Sequence, residues 1–155
     1  MLIIELLIAS VMLLLTVLLH GVGLSLLPTI AGLFESGEAE RPWIARYGAS
    51  AWHASILVLG ILALTIIEVW LYAGLYVAIG AISPFREALY YSTISFAAIG
   101  YTDVAISQDW KLLGAIEGIN GNLLLGWSVA FLVMQIRRVG RSRPTAPKAR
   151  PLPEK

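Results

Sequence analysis

Cysteine is absent from the 155-residue chain, and charge is scarce, with only 14% of residues Asp, Glu, Lys or Arg. The first absence excludes a disulfide framework, a thiolate metal site and a cysteine nucleophile. The second excludes a water-facing surface, because a soluble domain carries about 25% charged residues. Also missing are G-x-S-x-G, H-E-x-x-H and a phosphate loop, so no enzyme motif is in evidence. What fills the chain is apolar: 58% hydrophobic residues and a mean hydropathy of +0.79, gathered in long blocks rather than at helical or strand spacing. The sequence reads as an all-α integral membrane protein and not as an enzyme.

Three blocks are long enough to span a bilayer, which takes about 20 apolar residues. Residues 1–34 read as a retained N-terminal transmembrane helix, lacking the basic start of a signal peptide. Only Glu5, Thr16 and His20 interrupt its run, and Pro28 and Gly32 are expected to loosen or end it. Residues 35–48 form a polar linker holding Glu35, Glu38, Glu40, Arg41 and Arg46. The second helix is expected over 49–82, with Trp43, Tyr47 and Trp52 at one membrane interface and Trp70, Tyr72 and Tyr76 at the other. The third is expected over 112–137. Residues 139–155 carry four prolines and five basic residues, the composition of a disordered tail.

Between the second and third blocks the pattern changes. Ser83-Pro84 reads as an N-cap with proline at the first helical position, Glu87 suits the first turn, and a helix is expected over 84–97. An apolar segment that short is re-entrant or interfacial rather than spanning. It must stop at Gly100-Tyr101-Thr102-Asp103.

Seven of the eleven Lys and Arg lie from Arg137 onward, which puts the C-terminus on the cytoplasmic side. A re-entrant segment does not change sides, so the linker is expected inside and the N-terminus outside a plasma (inner) membrane. Arg137, Arg138, Arg141 and Arg143 are expected to anchor the chain and attract anionic lipid headgroups, with no role in nucleic-acid binding.

Potassium channels carry a pore helix of the type A-L-W-W-S followed by T-T-V-G-Y-G-D. This chain has Ala88-Leu89-Tyr90-Tyr91-Ser92 and then Ala97-Ala98-Ile99-Gly100-Tyr101-Thr102-Asp103, with no gap between the two halves. Trp110 falls near the tryptophan that precedes the inner helix in many bacterial channels, and Gly121 within one residue of the hinge glycine. Over residues 50–138 the chain therefore resembles the pore module of the potassium-channel superfamily. The resemblance implies a homotetramer, since one module supplies one strand of the filter. It implies that backbone carbonyls of Ala98, Ile99, Gly100 and Tyr101 bind a permeating monovalent cation, K+ before Na+, with no other cofactor. Tyr90, Tyr91, Thr102 and Asp103 would support the filter, with a tyrosine donating to Asp103. Glu117 and Gly121 would serve gating.

Two positions depart from the family pattern. Ala98 replaces a threonine whose hydroxyl completes the innermost ion site. Thr102 replaces a glycine, and a β-branched residue at positive φ would be strained. Both substitutions predict weaker discrimination of potassium from sodium. They also leave open an alternative, a non-conducting accessory or scaffolding protein that kept the pore fold.

The remaining polar residues carry weaker expectations. Glu117 braces the filter from behind, titrates as a pH sensor, or is an interfacial carboxylate wetted by headgroups. Glu68 is expected to reach water from the outer leaflet. Asn120 and Asn122 either bond between subunits or face the cavity. His20 and His53 lie on different helices and are expected to hold no metal.

Overall fold

The computed structural model describes the backbone of residues 2–33 and 43–141, and the side chains of 2–33 and 51–137. Helix α1 spans Leu2–Leu33, α2 Trp43–Ala78, α3 Phe85–Phe96 and α4 Lys111–Arg141, with a short 3-10 turn at Gln108–Trp110. No strand occurs among the described residues. Three of the helices, α1, α2 and α4, are long and apolar enough to cross a membrane. A helix closes its backbone hydrogen bonds on itself, which is what a segment in hydrocarbon requires.

Helix α1 keeps its expected extent, passing Pro28 and Gly32 to end at Leu33, while other expected boundaries shift. Leu24, Leu27 and Ala31 bury around the proline against α2 and α4, and that packing holds the helix together across it. Helix α2 begins at Trp43, inside the stretch expected to be linker, and stops at Ala78 rather than 82. The early stop has a cause in the chain. Gly80 adopts φ +69°, and the Ala81 N–H reaches back to the Tyr76 carbonyl at 2.8 Å, a glycine-terminated helix end. Pro84, not Ser83, is the N-cap of α3, and no side chain caps it. The linker residues 35–42 and the tail from 142 onward lie outside the described residues.

The register of the three long helices is set by close contacts. A Cβ on Gly23 would overlap Leu64, and one on Gly60 would overlap Leu27, so α1 and α2 run antiparallel. At the other edge the Leu113 N–H donates to Glu5 Oε1 at 2.9 Å, so α1 and α4 run parallel with their N-termini level. Helix α1 thus lies along both partners. Its outward face, including Leu7, Val11, Leu14, Leu18, Val22 and Leu26, is exposed leucine and valine, as a lipid-facing side should be.

Helix α3 is only 12 residues long and lies against both α2 and α4. It rests on α4 where glycine clears the way. A Cβ on Gly121 would overlap the Phe96 carbonyl, and one on Gly118 would stand 3.1 Å from the Ser95 carbonyl. Gly121 lies ten residues into α4, so the end of α3 has travelled about 15 Å along it. The chain then returns, and the Ser107 N–H meets the Ala81 carbonyl at 3.2 Å, back at the end of α2.

Candidate ion pathway and its supporting polar layers

The pathway segment begins where α3 stops. The Ala98 N–H bonds to the Ser95 carbonyl at 2.8 Å and the Ile99 N–H to the Ile94 carbonyl at 3.0 Å. This is the same two-bond ending that α2 makes at Gly80, but its left-handed residue is Ala98, at φ +55°. Gly100 follows at φ +73°. Positive φ was expected at Thr102; the structure puts it at Ala98 and Gly100 instead. Thr102 is therefore unstrained, and its Oγ1 accepts the Val104 N–H at 3.1 Å in a tight side-chain turn.

From Ala97 to Ile106 no carbonyl accepts a hydrogen bond from the described residues. Ile99 is 66% exposed and Tyr101 85% exposed. A concavity of about 330 Å³ beside this segment is lined by Ser95, Ala98, Gly118 and Asn122 among others.

Behind the segment the side chains are tightly bonded. Glu117 of α4 is fully buried and takes the Tyr76 hydroxyl on one oxygen at 2.6 Å and the Ser92 hydroxyl on the other at 2.5 Å. It thereby ties α2, α3 and α4 at one point. Of the expectations for Glu117, the brace fits this geometry and the headgroup-wetted carboxylate does not. Ser95 adds a bond to the Gly114 carbonyl at 2.6 Å. Tyr91 stacks edge-on against Tyr76 at 5.3 Å, and its hydroxyl fills the space above Gly114. No hydrogen bond joins Asp103 to Tyr90 or Tyr91: Tyr91 is turned to α4, and Tyr90 is 47% exposed.

Two more polar layers lie farther along the bundle, where the sequence suggested none. Asn120 Nδ2 donates to Thr16 Oγ1 at 2.7 Å and to the Tyr72 hydroxyl at 3.2 Å. The partners of Asn120 are thus on α1 and α2 of its own chain. In the next layer His20 Nδ1 meets Glu68 Oε1 at 2.9 Å and His20 Nε2 meets Ser128 Oγ at 3.0 Å. Glu68 is fully buried, so it does not reach water as expected. Tyr72 and Tyr76, expected at the membrane interface, are core residues at 0% exposure, while Trp52 and Trp70 are exposed.

The missed signal was spacing. Glu68, Tyr72 and Tyr76 recur every four residues on α2, and Thr16 and His20 do so on α1, which puts each set on one face. Pairing those faces across helices needed the register, which only the structure supplies. Ser128, His20 and Glu68 follow the atom order of a serine nucleophile, its base and an orienting carboxylate. All three are at most 3% exposed, however, so no substrate can reach the serine oxygen in this packing. His53 lies 15 residues from Glu68, about 22 Å along α2, and is not brought to His20. No group of three His, Asp or Glu able to hold a metal occurs among the described residues.

Residues 56–138, more than half of the chain, match the model of a family described as ion channel. The chain belongs to that family, the two-transmembrane, potassium-channel-like group of ion channels. It is a membrane protein of the ion-channel class, and the matched region runs from α2 through α3 and the segment after it to the far part of α4. No curated protein and no solved structure gives a significant match.

Proposed function

We propose that the chain is the pore-forming subunit of a homotetrameric, potassium-like cation channel. In this reading α3 is a re-entrant pore helix, and Ala98, Ile99, Gly100 and Tyr101 present backbone carbonyls to the permeating ion. The observation that carries the reading is the uncovered return strand. Its backbone is irregular, its carbonyls are unpaired, and its start lies some 15 Å along α4. Lipid does not tolerate such backbone, so at that depth it must be covered by protein or line a wet path. Four strands around an axis provide both. The carbonyls then replace the hydration shell of a cation, and the C-terminal end of α3 adds a partial negative charge directed at the same region.

Glu117 holds α3 from behind through Ser92 and Tyr76, and Gly121 lets the Phe96 carbonyl approach α4 closely. Ala98 carries no hydroxyl for the innermost site, so the pore should pass potassium but reject sodium incompletely. The N-terminus is outside and the basic tail, facing anionic lipid, is cytoplasmic.

Ion flux from liposomes holding the purified protein tests the reading. Potassium should move down its gradient, with a bi-ionic reversal potential showing partial sodium permeability. Liposomes that hold assembled protein and pass no cation would instead favour the non-conducting alternative that Ala98 and Thr102 leave open.

A further inference from the structure

The matched family region begins at residue 56, so α1 stands outside it, yet α1 is bonded to α4 at three levels. Glu5 accepts the Leu113 N–H, Thr16 accepts from Asn120, and His20 meets Ser128. Gly121 separates the first two contacts from the third. Above Gly121, α4 is also held by α3 through Gly114, Gly118 and Glu117. Beyond Gly121 what remains of α3 beside it is apolar, Phe96 clustering with Leu124 and Val69. Up to residue 137, the Ser128–His20 bond is the only polar side-chain contact between this far half of α4 and the other described residues.

From this we propose that His20 is a latch: it ties Ser128 to the buried carboxylate of Glu68 and so holds the far half of α4 against α1 and α2. The proposal rests on the pore reading above, with Gly121 as the point about which α4 bends to open. The structure shows α4 as one continuous helix from Lys111 to Arg141, and bending it at Gly121 carries Ser128 away from His20. Phe131, which packs with Leu24 and Leu27, moves with it. The bonded groups are at 1% and 3% exposure, so the bond is sheltered from solvent while α4 stays in place. His20 also stacks at 5.6 Å from Trp127, the residue beside Ser128, which fixes the ring facing α4. Helix α1 is then a working part of the opening rather than a passive anchor.

Ser128→Ala removes the far end of the latch while leaving His20 and Glu68 paired, and Ser128→Thr restores a hydroxyl. In single-channel recordings Ser128→Ala should raise open probability at least about threefold, because each of the four subunits loses one buried hydrogen bond, at unchanged unitary current and reversal potential. Ser128→Thr should return it toward the wild-type value. A second readout needs no conduction. Gln135 lies on the far half of α4 and is buried, and the chain holds no cysteine of its own. A thiol at Gln135→Cys should react with a membrane-permeant maleimide several-fold faster with Ala at 128 than with Ser. Absence of current from the wild-type protein would refute the pore reading and leave the labelling arm to decide the latch. Equal open probability, or equal labelling rates in the two backgrounds, would overturn the latch.

Discussion

Two regions of this molecule treat polar atoms in opposite ways. Between the helices, ionisable and hydroxyl side chains are buried almost completely and bonded across elements, Glu117 with Tyr76 and Ser92, His20 with Glu68 and Ser128. Along residues 97–106 the polar atoms are backbone carbonyls, unmatched and left at the surface of the protomer beside exposed Ile99 and Tyr101. The first region is bonded within one chain, with Glu68 Oε2 and Asn120 Oδ1 as buried exceptions. The carbonyls of the second have no such bonds. Ten successive open carbonyls beside a largely bonded interior support the proposal that this segment is completed by other copies and by an ion.

The comparison can be broken at its sharpest point, Gly100. Its φ of +73° suits glycine, and no atom of the protomer lies within 4 Å of a Cβ placed there. Gly100→Ala should leave the fold of the protomer intact but reduce ion flux more than tenfold, because strain of about 1–2 kcal/mol in each of four strands falls on the ion sites. Flux in liposomes and helical content measured on the same preparation check both halves of that statement. Glu117→Leu tests the opposite region. It strands the Tyr76 hydroxyl in a dry interior, while Ser92 keeps the Val69 carbonyl at 3.0 Å as an acceptor, and should cost about 1–3 kcal/mol of stability, read as a lower midpoint of thermal unfolding in detergent. Glu117→Gln, which keeps an acceptor, should cost less than half as much.

Gly121→Ala is of similar size. The added Cβ overlaps the Phe96 carbonyl, a backbone atom that cannot rotate away, and overpacking of this kind costs about 1–3 kcal/mol. A midpoint equal to that of the wild type would show that α3 does not rest on α4 as described. The smallest effect expected is a gain. Helices α2 and α3 end by the same pair of hydrogen bonds, one with Gly80 and the other with Ala98 at positive φ. Ala98→Gly removes the strain of the second and should stabilise the protein by about 0.5–1 kcal/mol, again by thermal midpoint.

How much of this was legible in the sequence follows from the kind of signal involved. Apolar runs give the three long helices, because a span in lipid needs length and hydrophobicity and little else. The short helix before Gly100-Tyr101 was legible for the same reason, being apolar and too short to cross. Helix ends were read less well. Packing carries α1 past Pro28 to its expected end, whereas Gly80, one glycine among many, was the unforeseen terminator of α2. The positive φ expected at Thr102 rested on the family's second filter glycine. In the segment after α3 the left-handed residues are Ala98, set by the ending of α3, and Gly100. The polar layers were least legible. Glu68 and His20 are 48 residues apart, and nothing in either helix alone says that they meet. Only the antiparallel register fixed by Gly23 against Leu64 and Gly60 against Leu27 brings them to one level.

The claim that the exposed strand is completed by further copies is tested most directly by counting chains. Native mass spectrometry of the protein released from lipid nanodiscs should show a particle of four chains of 16.8 kDa each. A particle of one or two chains would contradict the account, because the carbonyls of residues 97–106 would then have neither a partner strand nor an ion path to face.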